Sequence, residues 1–585
     1  MMASESTAAA GILPRLKSSI PILDWAHTYT SSALPGDITA GLIVAIMLIP
    51  QSMAYALLAG LPPQVGLYSS ILPLVVYAIL GTGKAVSVAP VAIDSLLVAT
   101  AVGAIAVQGS NQYILLASLL ALMVGVVHLL VSVVKLGSLV NFISSSVISG
   151  FTNAAALVIG FSQLKHILGF DIPRSKYLHE TIIYAVTHLE ATNYTVLGIS
   201  LTAILTLTLF KNRLAQFLKN TNLSRTVQIT VTRGLPLLII IGGILVVWKF
   251  NLYSSSSVAI VGQIPAGMPQ FSIPSLELDQ IHALLPAALT IAFVAFLENI
   301  SVAKSLAAKR REKIDANQEL VAIGTANIAS ALSGGYTVTG GFSRSAVNFS
   351  AGAQSGLASI ITAGLLLITT IFLTPLFYFL PKAVLGSLII VAVFRLIDFK
   401  SFVQTWRYDK RDGMIFLVTF LAVLLAGIQN GILIGAGASI ALFVWRTSQP
   451  HIAEVGRLGN TEHFRNVKRH EVQTCPHVLA MRIDESLYFG NIAYLENEIN
   501  ERIADDKEIN HLLLLGNGIN FIDANALKAL SKLKENLQEA GVSLWLAEIK
   551  GPVMDKLKSS GFIDELGSDR VFLSSHEAMR TLECV

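Results

Sequence analysis

Long unbroken apolar stretches, not alternating ones, dominate the first three quarters of the chain. They lie at roughly 38–58, 64–81, 88–107, 113–134, 138–162, 193–210, 226–248, 281–303, 318–333, 341–351, 356–374, 380–397, 412–427 and 430–447. Most approach the ~20 residues that a spanning helix needs, and several are shorter, so the pattern predicts about fourteen membrane spans. Residues 1–35 are polar and mixed, without an apolar core beside a small-residue cleavage site, and no signal peptide is expected. From about residue 476 the pattern changes to short elements. Strand-like runs at His477–Ile483, Leu512–Leu515, Val542–Ala547 and Val571–Leu573 alternate with helical ones at Ile492–Ile503, Asp523–Gln538, Pro552–Lys558 and His576–Leu582. Strands alternating with helices predict a small, mostly parallel α/β domain.

Two spans break the apolar pattern. The third begins Gly81-Thr82-Gly83-Lys84-Ala85-Val86-Ser87-Val88-Ala89-Pro90, and the tenth begins Ser333-Gly334-Gly335-Tyr336-Thr337-Val338-Thr339-Gly340-Gly341. Each reads as a glycine turn, a short extended run, a break and a short helix. They are third in the first seven spans and third in the second seven. Matching interrupted segments in two halves are the sequence sign of an inverted-repeat transporter, and seven spans per half give the halves opposite topology. The expected organisation is an N-terminal segment at 1–35, a transmembrane transport domain at 36–448 (repeats about 36–250 and 280–448), a linker at 449–475 and an α/β domain at 476–585.

Composition sharpens the division. Apolar residues make up 53% of the chain and charged ones 13%. Of the 78 charged residues, 36 lie in 451–585, about 27% of that segment, leaving 42 in the first 450, about 9%. A soluble domain carries roughly 25% charge, so the tail reads as soluble and the rest as embedded. The net charge of +4 combines a basic membrane part with an acidic tail, which argues against a nucleic-acid partner. Basic residues cluster at Lys309, Arg310, Arg311 and Lys313, and Lys211 and Lys219 lie in another connection; the positive-inside tendency puts these, and with an even span count both termini, on the cytoplasmic side. The two cysteines, Cys475 and Cys584, are too few for a disulfide framework or a cysteine metal site, and fit a reducing cytoplasm.

Candidate chemistry concentrates at the two breaks. A helix that starts inside a membrane presents free N–H groups and favours an anion. Arg344 follows Ser343 just after the second break, and an arginine at membrane depth needs a partner: a small anion, or an ion pair with Asp94 or Glu298. Glu298 lies in the apolar run 292–299. Its ionised form is poorly solvated there, so it can hold a proton near neutral pH; pairing with Arg344 or Lys304 is the structural alternative. Asp94 is a second intramembrane acid, able to neutralise Arg344 or to carry a proton. Gln51 and Tyr55 share a helix face near the end of the first span, suited either to a ligand or to packing. Gly81–Lys84 resembles the end of a phosphate loop, but Ala78 and Ala85 stand where glycine and Ser/Thr are required, and ATP binding is excluded.

These residues carry a family resemblance. Pro50-Gln51-Ser52-Met53-Ala54-Tyr55-Ala56, Leu61-Pro62-Pro63-Gln64-Val65-Gly66-Leu67-Tyr68, Gly81-Thr82 and Ala89-Pro90 resemble the signature of the sulfate permease (SulP) anion transporters. Leu487-Tyr488-Phe489-Gly490-Asn491 and Phe521-Ile522-Asp523-Ala524-Asn525 resemble that family's sulfate-transporter and anti-sigma-factor-antagonist (STAS) domain. The resemblance implies an α-helical polytopic membrane protein of 14 spans, as 7+7 inverted repeats forming core and gate domains, with a small cytoplasmic α/β STAS domain and an elevator motion. It puts Gln51, Tyr55, Pro90, Val91, Ser343 and Arg344 at substrate-facing positions and Glu298 at the coupling-ion position; Asp94 stays a second ion-coupling candidate by its place in the span alone. Ala89 replaces the family's usual glycine, Asp94 a usually apolar residue, and Ala524 the serine phosphorylated in anti-sigma antagonists. The expected function is secondary active, proton-coupled symport of sulfate or a similar oxyanion or dicarboxylate, by a non-enzyme without a cofactor; Na+ is the less favoured coupling ion. A bicarbonate or chloride carrier or exchanger, or a scaffold signalling through the tail, are the alternatives. The expected partners are the anion, the bilayer, a second copy of the chain and a cytoplasmic protein bound by the tail, in a bacterial inner membrane.

Overall fold

The computed structural model describes residues 20–584 apart from 138–143, 174–177, 211–212, 215, 218–219, 221–224, 266 and 270. Residues 1–19 of the N-terminal segment, the start of the fifth apolar stretch, Lys211 and Lys219 lie outside the described residues. The chain divides into two compact units, Met1–Ser439 and Ile440–Val585, each taken by itself below.

Among the described residues, each apolar stretch contains helix. Among the described residues, seven helices are long and apolar enough to cross a membrane by length and composition. The remaining segments are short or interrupted. Five helices position the site: α1 (Leu34–Leu58), α2 (Ala92–Gly103), α3 (Leu278–Arg310), α4 (Ala316–Leu332) and α5 (Phe342–Ser350).

The two interrupted spans meet. Strand β1 (Val88–Ala89) pairs antiparallel with β2 (Thr339–Gly340), Val88 opposite Gly340 and Ala89 opposite Thr339. Helix α2 begins just after β1, and α5 just after β2. Because the strands are antiparallel, the two helices leave the pairing in opposite directions with both N-termini beside it. Pro90 helps to force the first break, since it lacks an N–H and pushes Ala89 towards an extended conformation.

Extended backbone in an apolar interior leaves N–H and C=O groups that no helix satisfies, and each costs free energy unless paired. Here side chains supply the partners. Around the second break, Asn327 donates to the Val338 carbonyl and accepts from the Val338 amide, both at 2.9 Å. Ser69 Oγ accepts from the Tyr336 amide (2.9 Å), and Ser118 donates to the Gly335 carbonyl (2.8 Å). Around the first break, Ser345 Oγ accepts from the Ser87 amide (2.9 Å) and Asn348 donates to the Ala85 carbonyl (3.1 Å).

The largest single contribution comes from Glu319, a buried carboxylate near the start of α4. It accepts from the Tyr77 hydroxyl (2.6 Å), the Thr82 amide (2.8 Å), the Thr82 hydroxyl (2.6 Å), the Gly83 amide (3.2 Å) and the Asn299 side chain (2.6 Å). The glycine-rich loop at 81–84 therefore turns its amides to an internal carboxylate.

The second unit contains a six-stranded sheet in the order β4-β3-β5-β6-β7-β8. Its strands are β3 (Ile452–Arg457), β4 (Phe464–Asn466), β5 (Val478–Ile483), β6 (His511–Leu515), β7 (Ser543–Ala547) and β8 (Val571–Phe572). Strands β5 to β8 are parallel, joined by crossovers that include α6 (Ile492–Asp505), α7 (Ala524–Glu539) and α8 (Gly551–Ser559); α9 (Ser575–Thr581) follows β8. Leu495, Ile499, Leu530 and Leu533 of α6 and α7 cover one sheet face against Met481, Leu512 and Leu514. Asp523 caps α7, accepting from the Ala526 amide at 2.7 Å. Two expectations are corrected here. Residues 449–475, expected as a linker, instead form β3 and β4, with β3 antiparallel to both β4 and β5. Cys475 and Cys584, read as too few for a disulfide framework and as fitting a reducing cytoplasm, are joined in one disulfide, because the fold brings together positions 109 apart in sequence.

Two predictions follow from this packing. Glu319→Ala strands the Thr82 and Gly83 amides and should destabilise the first unit by about 3 kcal/mol or more. Glu312→Ala removes only a partly exposed pair with Lys84 (3.1 Å) and should cost about 0–1 kcal/mol. Thermal unfolding of the two purified variants in detergent distinguishes these outcomes. In the second unit, burial pushes the Asp484 carboxyl up, but hydrogen bonds from Arg482 (2.6 and 3.0 Å) and His451 (2.7 Å) outweigh it and hold the group below the usual carboxylate range. Its stabilising contribution is present above the unfolded value and lost as pH falls through the lowered one. Asp484→Asn should therefore lower the tail's unfolding temperature at about pH 7, and the difference from wild type should shrink as pH falls below the usual carboxylate range.

Candidate anion site

The two helix N-termini open on a cavity of 630 Å³ in the first unit. Of the residues picked out in the sequence, Gln51 and Tyr55 of α1, Val91, Glu298 of α3, and Ser343 and Arg344 of α5 line it. They come from four separate parts of the chain. The glutamine and tyrosine share a face because they are one helical turn apart. Glu298 is half-buried on the wall, while its neighbour Asn299 turns the other way, to Glu319. Gln51 Oε1 is buried without a hydrogen-bond partner, an acceptor aimed into the protein with nothing donating to it.

Arg344 behaves differently from a side chain free to clamp a ligand. It is 2% exposed, its Nη1 donates to the Pro90 carbonyl (2.7 Å), and its Nη2 donates to the Ala89 carbonyl (3.0 Å). The end of β1 thus holds two corners of the guanidinium, and only Nε lacks a partner. The charge sits at the cavity wall, but it also staples the second repeat to the first. Gly341 permits this: a Cβ there would stand 2.7 Å from Arg344 Nη2.

Pro90 enters through its carbonyl rather than as a lining side chain. Asp94 is fully buried in the first turn of α2, and neither carboxylate oxygen has a hydrogen-bond partner. An ion pair between Arg344 and Asp94 or Glu298, one of the readings the sequence left open, is not what holds the arginine; both of its hydrogen bonds go to backbone carbonyls. Sequence reasoning passed over Asn299, Glu319, Ser345 and Asn348, which fix the first break. Polar residues in otherwise apolar spans were the signal that could have found them.

A pair of interrupted helices, one from each half of the chain, with their N-termini on a shared cavity, defines a membrane transporter rather than an enzyme. Residues 34–419 match the model of the sulfate permease family and residues 469–578 that of the STAS domain, so the chain belongs to the sulfate permease family. It is 37% identical to sulfate transporter 4.1, chloroplastic, of Arabidopsis thaliana, over 96% of this chain and 82% of that protein. It is 32% identical to high affinity sulfate transporter 2 of Stylosanthes hamata, over 97% of this chain and 86% of that one. The inward-facing murine anion transporter Slc26a9 superposes with a TM-score of 0.89 at 25% identity, covering 98% and 95% of the two chains.

Because Arg344 holds backbone as well as charge, its removal should show in two measurements. Arg344→Ala should weaken anion binding about ten- to a hundredfold and also lower the unfolding temperature, since two buried carbonyls lose their donor. Arg344→Lys keeps the charge but cannot span both carbonyls, so it should recover part of the binding and less of the stability. Binding titrations and thermal unfolding on the same detergent preparations test both.

Proposed function

We propose that this protein is a proton-coupled sulfate symporter, or a carrier of a closely similar oxyanion or dicarboxylate, working by an elevator movement. The observation that carries the reading is the antiparallel β1–β2 pairing, which sets two helix N-termini and Glu298 around one cavity. Free N–H groups at those N-termini supply donors to an anion, and Arg344 supplies positive charge beside them. Gln51, Tyr55, Val91 and Ser343 shape the rest of the wall, and Pro90 contributes through the carbonyl that holds Arg344. The sulfate transporters of Arabidopsis and Stylosanthes support sulfate as the first anion to test.

Glu298 is the proposed proton carrier, with Asp94 the second candidate. Protonation of Glu298 removes negative charge from the wall that faces the anion, so proton and anion favour each other's binding, and that coupling is reciprocal. Both termini face the cytoplasm in this reading, supported by the basic cluster at 309–313, and the transporter works as a homodimer whose tail binds a cytoplasmic protein. A bacterial inner membrane is proposed on the compact connections and tail; the two sulfate transporters named above come from plants.

The experiment is uptake of labelled sulfate, fumarate and bicarbonate into proteoliposomes, with and without a pH gradient. Sulfate should accumulate against its gradient, faster as the external pH falls from about 7.5 to about 5.5. Glu298→Gln, which mimics the protonated side chain, should retain anion binding and exchange but lose the pH dependence. A Glu298→Gln protein that concentrates sulfate with the wild-type pH profile would move the proton route to Asp94. Uptake of bicarbonate alone would overturn sulfate as substrate.

A further inference from the structure

The second unit holds a cluster that anion transport does not use. Cys475 and Cys584, the chain's two cysteines, are disulfide-bonded with Cα atoms 5.6 Å apart. His477 lies against both sulfurs: its Nε2 is 3.5 Å from Cys475 Sγ and 3.4 Å from Cys584 Sγ. The same nitrogen is 3.2 Å from the Leu582 carbonyl. All three residues are half-buried, so the sulfurs are packed but within reach of a small reagent.

The bond ties the segment ahead of β5 to the segment behind α9. Helix α9 has seven residues, too few to be stable by itself. It seats through Ala578 and Met579, with Leu582 behind it, on a sheet face made by Val455, Val478 and Leu513. The disulfide therefore adds a covalent tie to a short helix otherwise seated by these apolar side chains.

We propose that Cys475–Cys584 is a redox-controlled clasp, opened by exchange with a low-molecular-weight thiol–disulfide couple, and that opening it releases α9 from the sheet. A thiolate from the couple attacks one sulfur, forming a mixed disulfide, and the other cysteine leaves as a thiolate. A second thiolate then attacks the mixed disulfide and releases the second cysteine. Two thiols of the couple become one disulfide, two electrons pass to the cysteine pair, and each departing cysteine thiolate takes up a proton. His477 can donate to whichever sulfur leaves, because it is within reach of both; stabilising the leaving thiolate speeds exchange. On the cytoplasmic placement of the tail proposed above, a closed cysteine pair is the mark of redox sensing rather than of a permanent staple.

The test uses the full-length protein in detergent, equilibrated in glutathione buffers from fully reduced to fully oxidised. Alkylation with maleimide, read by mass spectrometry, reports the thiols, and hydrogen exchange reports residues 575–582. Both cysteines should open together at one midpoint within the buffer range, and exchange at 575–582 should rise about tenfold or more on reduction. His477→Gln should slow opening at fixed thiol about tenfold. Cys584→Ser should exchange fast in every buffer. The proposal is overturned by a bond that stays closed in fully reduced glutathione, by cysteines that never close in the oxidised buffer, or by exchange that ignores the redox state. It is also overturned if zinc shields the reduced thiols from maleimide and keeps exchange slow, which would make the cluster a metal site.

Discussion

Backbone cannot be left unpaired in the interior of a membrane-embedded unit, and the rest of the first unit is arranged around that constraint. Two stretches, 82–90 and 335–340, abandon helix and so forfeit internal hydrogen bonds. Two residues of each pair with the other stretch as β1 and β2; the remaining groups draw on side chains. Glu319, Arg344, Ser345 and Asn348, all from the second half of the chain, serve the first stretch. Ser69 and Ser118, from the first half, serve the second, with Asn327 added from its own half. The exchange is reciprocal, so neither break is satisfied without the other repeat. The floor of the site is therefore cross-linked between the two repeats.

The charges are sorted by the same logic. Glu319 is buried and accepts from five donors, which fits a structural role. Asp94 is equally buried and has none, while Glu298 borders the cavity. Three carboxyl groups in one unit thus have three environments, and environment decides whether a carboxyl holds structure or exchanges protons. Arg344 joins both roles, since the hydrogen bonds that fix it go to backbone carbonyls while its charge sits at the cavity wall.

The tail follows ordinary soluble rules. Its crossovers give parallel strands, its helices bury apolar stripes against the sheet, and Asp523 and Ser574 cap two of them. Its less ordinary feature is the closure of the sheet's far side by a short helix that a disulfide and a histidine hold in place.

The apolar stretches located the helices because a membrane-length run of hydrophobic residues has few other stable forms. The α/β alternation of the tail was legible for a similar reason: the period of burial differs between strand and helix. The two glycine-rich breaks, and with them Glu298, Ser343 and Arg344, stood out because polar residues in an apolar span are rare. Nothing local showed that β1 would pair with β2, that Glu319 would fill the 81–84 loop, or that Arg344 would turn to the carbonyls of Ala89 and Pro90. Each of those contacts joins residues more than 230 positions apart. The strands of 452–466 were likewise hidden, since a short edge pair is recognisable only by the strand it pairs with, and Cys475 met Cys584 only when the sheet had closed. Local pattern determines which segments must be buried; which buried polar group finds which partner is decided by the packing of distant segments, because a hydrogen bond depends on position in space and not on distance along the chain.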